Sequence, residues 1–109
     1  NEIFVFGSNL AGAHGGGAAL LAYRKFGAVW GEGVGLHGGT YAIPTMQGGV
    51  DSIAPHVNEF IAYAAAHPRH SFVVTRIGCG VAGFTPEEIG PRFREARSLR
   101  NVLLPEDFV

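Results

Sequence analysis

Apolar positions along the chain fall into short blocks whose spacing changes from one block to the next. Ile3-Phe4-Val5-Phe6 is a continuous apolar run broken at Gly7, the profile of a strand buried on both faces of a parallel sheet. Ala18, Leu21, Ala22 and Phe26 share helical spacing and stop at Gly27, which predicts a helix over 18–26 with a glycine terminus. Val29-Trp30 is a candidate short strand, and residues 31–39, too glycine-rich for regular structure, predict a turn or hairpin. Thr40-Tyr41-Ala42-Ile43 reads as a strand ended by Pro44. Asp51 or Ser52 is placed to cap a helix running to about Ala66. Its apolar face would carry Ile53, Val57, Phe60, Ile61 and Ala64, and Pro55 would fall in its tolerant first turn. Ser71-Phe72-Val73-Val74-Thr75 is a second strong strand, followed by Ile77-Gly78-Cys79-Gly80. Thr85-Pro86-Glu87-Glu88 carries a capping box and an N1 proline that open a last helix, and Val102-Leu103-Leu104 predicts a closing strand.

Strands alternating with helices imply an α/β architecture, a mainly parallel sheet flanked by helices, in one domain over residues 1–109. Ligands in such folds bind beyond the carboxyl ends of the strands. Two glycine loops, 7–17 and 78–83, each follow a strand and precede a helix. They are therefore expected on the same edge of the sheet.

Composition narrows the function. Lys+Arg 8 against Asp+Glu 9 leaves a formal charge of −1, which argues against direct nucleic-acid binding. Hydrophobic residues at 47% with 16% charged exclude intrinsic disorder, and no apolar run approaches the ~20 residues of a membrane span. The opening Asn1-Glu2 leads straight into a strand, so no signal peptide is expected. One cysteine fits a reducing compartment; a cytoplasmic location without membrane partners is the expectation. Thirteen of the 17 glycines fall between Gly7 and Gly49 and four between Gly78 and Gly90. That clustering favours backbone that approaches a ligand.

A strand, a glycine turn and a helix start expose free amides and the positive end of a helix dipole, which suits phosphate. Two such loops side by side suit a diphosphate, or a phosphate with a sugar. Neither the Walker spacing nor the dinucleotide fingerprint occurs in Gly12-Ala13-His14-Gly15-Gly16-Gly17. Tight turns and close packing would also account for the glycines.

At both loops the sequence resembles the macrodomain family, closest to its terminal ADP-ribose glutamate hydrolase branch in minimal form. The matching segments are Asn9-Leu10-Ala11-Gly12-Ala13-His14-Gly15-Gly16-Gly17-Ala18-Ala19, Tyr41-Ala42-Ile43-Pro44-Thr45, and Arg76-Ile77-Gly78-Cys79-Gly80-Val81-Ala82-Gly83-Phe84. The resemblance implies a three-layer macrodomain-like fold and ADP-ribose or a related nucleotide as ligand, free or carried on an ADP-ribosylated macromolecule. By position it places Asn9 and the amides of Gly15, Gly16 and Gly17 against the distal ribose; Gly7, Ser8, His14, Thr45 and Gly83 complete the expected ligand-binding residues. The amides of Gly78, Cys79, Gly80, Val81 and Ala82 would hold the diphosphate, with Phe84 against the sugar. No metal or further cofactor is implied.

The departures concern catalysis. The branch's catalytic lysine and aspartate fall on Met46 (or Gln47) and Ala82, and the aspartate of larger hydrolytic macrodomains falls on Ala19. None of these side chains can move a proton or form an adduct. The family's adenine-reading Gly-Asp pair has no counterpart in these residues. The candidate proton carriers are His14, inside the first loop, and His37, in a turn that would fold over the cleft. His56, His67 and His70 read as surface residues. Cys79 is either an activated thiolate or an inert packed thiol. Asp51, Glu87 and Glu88 read as helix caps; Arg76 either pairs with a carboxylate or reaches a diphosphate; Trp30 and Tyr41 are core or cleft wall. Three functions follow: a module binding ADP-ribose or a related nucleotide, an ADP-ribosyl hydrolase using non-standard residues, or an interaction domain with a vestigial cleft.

Overall fold

Each strong apolar run becomes a strand or a helix, and the two-faced burial of the first run makes it the centre of the sheet. The computed structural model describes residues 2–109; Asn1 lies outside them. The elements are β1 (Glu2–Ser8), α1 (Gly17–Leu21), β2 (Gly35–His37), β3 (Thr40–Pro44), α2 (Ala54–Ala66), β4 (Ser71–Val74), α3 (Pro86–Ile89) and β5 (Val102–Leu103). Sheet order is β2-β3-β1-β4-β5. β1 runs parallel to β3 and β4, β4 runs parallel to β5, and only the β2–β3 pairing is antiparallel. The protein is thus an α/β fold with a five-stranded mixed sheet.

Alternation along β1 divides the core. Ile3 and Val5 pack with Ile53, Val57 and Phe60 of the α2 side, together with Phe72, Phe93 and Phe108. Phe4 and Phe6 face the opposite side, against Ala22, Ala28 and Ala42. Burial of each large side chain stabilises by roughly 1.5–3 kcal/mol, so the phenylalanine-rich α2 face carries most of the apolar stabilisation. No helix among the described residues is long and apolar enough to cross a membrane.

Five sequence expectations change. Val29-Trp30 forms no strand; Trp30 enters a turn and stays half exposed. The glycine-rich stretch does contain regular structure, because β2 pairs with β3 across a tight Gly38-Gly39 turn. The helix over 18–26 is α-helical only to Leu21 and finishes as a π-helical turn, Ala22–Phe26, closed by left-handed Gly27. That wider turn ends with Phe26 stacked on Phe4 at 4.7 Å. The last helix passes into a 3₁₀ segment, Gly90–Ser98, because Pro91 lacks the amide an α-helical continuation needs. Its start is as expected: Thr85 and Glu88 complete a reciprocal capping box. Asp51 caps nothing and instead accepts a hydrogen bond from Arg92 at 2.7 Å, while α2 begins without a side-chain cap.

Candidate binding cleft

Because β3, β1 and β4 lie side by side and parallel, the loops leaving them share one edge of the sheet. Between them opens a cleft of about 450 Å³ lined by residues 7–9, 13, 16–19, 45–46 and 75–82. That volume lies within the ~300–1,000 Å³ range of small-molecule sites. Both glycine loops contribute, so Asn9 and Cys79 stand on walls of the same cleft. Gly7, at the end of the central strand, forms the floor: a Cβ there would meet the Gly78 amide nitrogen and Thr45, each at 3.4 Å.

The walls are mostly main chain. Adding a Cβ at Gly16 or Gly80 would meet nothing within 4 Å, so backbone there faces open space. On one wall, Gly17, Ala18 and Ala19 begin α1, where amides have no partner within the helix. On the other, Gly83 N–H donates to Gly80 O at 2.9 Å and Phe84 N–H to Gly78 O at 2.8 Å. The amides of Gly80, Val81 and Ala82 find no acceptor among the described residues. Free donors on residues that line one cleft suit an anionic or hydroxyl-rich ligand.

The hydroxyls lining the cleft are already oriented. Ser8 donates to the Gly33 carbonyl, Thr45 to Ser8 O at 3.3 Å and Thr75 to Val5 O at 2.8 Å. Asn9 spends both ends of its amide on Ala13: Nδ2 donates to the Ala13 carbonyl at 2.9 Å, and Oδ1 accepts from the Ala13 amide at 3.0 Å. Asn9 therefore shapes its loop. Arg76 supplies the sole charged side chain among the described lining residues, and its Nη2 lies 2.9 Å from Asp107 Oδ2. Burial pushes the Cys79 thiol above its ordinary pKa; the Arg76 charge opposes this, and Asp107, Glu87 and Glu88 add to it. A thiol held up in this way is not the activated thiolate that a nucleophile requires.

Several expected residues lie elsewhere. His14 is fully buried, with Nε2 at 3.0 Å from Val29 O and its ring edge-on to Phe6 and Trp30. It anchors the first loop from behind and does not line the cleft. His37 pairs with Thr40 at the beginning of β3, the end of the sheet away from the cleft, and its Nε2 lies 3.0 Å from Val34 O. Phe84 packs on the core beneath the second loop, where it would touch a Cβ placed on Gly78. Gly15 and Gly83 also lie outside the lining. Tyr41 is core. His67 and His70 are half-buried beside Tyr63 and Phe72 rather than free on the surface. No group of three or more potential metal ligands occurs among the described residues.

Ala13 and Thr75 join the lining without having been singled out in the sequence. Thr75 could have been found by register: it follows the end of β4, directly beside the central strand. Comparisons with protein-family models, with curated proteins and with solved structures found no match to this chain.

Proposed function

We propose that the cleft binds ADP-ribose or a related ADP-ribose-derived nucleotide through its two glycine loops. One observation carries the reading: residues with unpartnered amides from both glycine loops, Gly80, Val81 and Ala82 on one side and Gly17, Ala18 and Ala19 at the start of α1 on the other, line a single cleft of about 450 Å³. A diphosphate needs several donors converging without bulky side chains, and glycine and alanine walls supply that. The two glycine segments that resemble the macrodomain family each contribute residues to the walls, Asn9, Gly16 and Gly17 from one and Gly78 to Ala82 from the other. Binding is preferred over hydrolysis because both histidines considered as proton carriers, His14 and His37, sit away from the cleft, and Met46 and Ala82 cannot replace them.

The test is calorimetric titration and thermal shift with ADP-ribose, NAD and cyclic ADP-ribose, alongside incubation with an ADP-ribosylated protein. A ligand that binds only the native state stabilises by about 2.7 kcal/mol at one hundred times its Kd. A rise in Tm with ADP-ribose, lost in Gly80→Val, supports the reading. The absence of any response to all three nucleotides overturns it, and release of ADP-ribose from the modified protein favours the hydrolase instead.

A further inference from the structure

We infer that Arg76 is the counter-charge of the cleft and that Asp107, paired with it, is a built-in competing anion. The affinity for an anionic ligand is then set by a side-chain contest as well as by main-chain amides. This rests on reading the cleft as an anion site.

Arg76 lies two residues beyond the end of β4, in the cleft wall. Its single close contact to Asp107, Nη2 to Oδ2 at 2.9 Å, uses one of five guanidinium donors and leaves the others for a second acceptor. The pair is open to solvent, with side chains 61% and 43% exposed, and exposed pairs of this kind are weak. A diphosphate offers the guanidinium more charge and more acceptor oxygens than one carboxylate.

Asp107 cannot simply drift away. It belongs to the 3₁₀ turn Glu106–Phe108, and Phe108 is buried and stacked on Phe93 at 5.7 Å. A Cβ on Gly90 would lie 3.1 Å from the Phe108 backbone, and Arg97 donates to the Phe108 carbonyl at 3.4 Å. Core packing therefore keeps the Asp107 backbone beside Arg76 whether or not the two side chains are paired. Both groups act on the cleft itself: their charges pull the Cys79 thiol in opposite directions.

The test measures ADP-ribose and inorganic pyrophosphate binding by calorimetry for wild type, Arg76→Gln, Arg76→Lys, Asp107→Asn and the Arg76→Gln/Asp107→Asn double variant. Loss of the guanidinium should weaken both probes by about tenfold or more, with Arg76→Lys keeping most of the affinity. Asp107→Asn should tighten both by roughly threefold or more, and that gain should vanish in the Arg76→Gln background. Equal ADP-ribose affinity in wild type and Arg76→Gln overturns the inference and leaves the nucleotide reading standing. Arg76-dependent pyrophosphate binding without ADP-ribose binding does the reverse. Weaker binding in Asp107→Asn overturns the competing role, and no binding of either probe overturns both.

Discussion

A methyl group on Gly33 would lie 1.9 Å from the carbonyl oxygen of Asn9. The two backbones are in such close contact that only glycine fits, and the adjoining Gly33 carbonyl accepts the Ser8 hydroxyl. The first glycine loop is thus seated on the segment preceding β2. Gly33→Ala should lower stability by about 3 kcal/mol, since backbone cannot yield as a flexible side chain does. Gly80→Ala, facing open space, should stay within about 1 kcal/mol of wild type and instead weaken ADP-ribose binding. Urea unfolding of both variants checks the contrast; equal stability losses would refute it.

His14 contributes structure. Replacing it with alanine empties an enclosed aromatic site and removes the contact to Val29 O, at a cost of about 3 kcal/mol. Ligand affinity, measured on the folded fraction, should then remain near wild type. A folded His14→Ala protein that has lost binding would return this residue to the site.

The sole cysteine reports on the cleft. Because burial raises the Cys79 pKa above 9.0, alkylation by iodoacetamide should accelerate only at pH above that of a free thiol. Arg76→Gln should move the profile to still higher pH and Asp107→Asn to lower pH, following the signs of the removed charges. Rates measured from pH 7 to 11 decide it, and identical profiles in all three proteins would contradict the geometry.

Tyr41 should make the fold sensitive to alkali. Burial, followed by Glu59 and Tyr63, raises its pKa above 10.0. In the unfolded chain the phenol ionises at about 10 while the native one still holds its proton. The unfolded state then binds fewer protons, so stability present below that pH is lost as pH rises through the native pKa. Cys79 acts with the same sign from about pH 9, so a Cys79→Ala background isolates the tyrosine. In that background Tyr41→Phe should flatten the decline in urea midpoint between pH 9.5 and 11, at pH values chosen to span the titration. An unchanged slope would argue against it.

Much of the fold was legible because burial writes itself into periodicity. The runs at Ile3–Phe6 and Phe72–Val74, short, rich in β-branched and aromatic residues and bounded by turn signals, read as buried strands, and Val57, Phe60 and Ala64 mark the packed face of α2. Residues 31–39 were legible only as a turn or hairpin and not as the edge strand β2, which has three residues, one of them glycine, and is defined by its partner β3. The widened turn after α1 was likewise invisible, since its closure answers to Phe4 and the Gly38-Gly39 turn on other elements.

For the cleft, the order of strand, glycine loop and helix was sufficient to put both loops on one edge, because parallel neighbours send their carboxyl ends the same way. What each residue does there was not determined by that order. Whether a histidine in a glycine loop faces the ligand or the interior depends on Phe6, Tyr23 and Trp30 arriving from three separate segments. Whether Arg76 stands alone depends on a carboxylate 31 positions further along, delivered by the packing of Phe108. Local sequence settles periodicity and chain direction, which are properties of neighbours in the chain; side-chain roles are settled by neighbours in space.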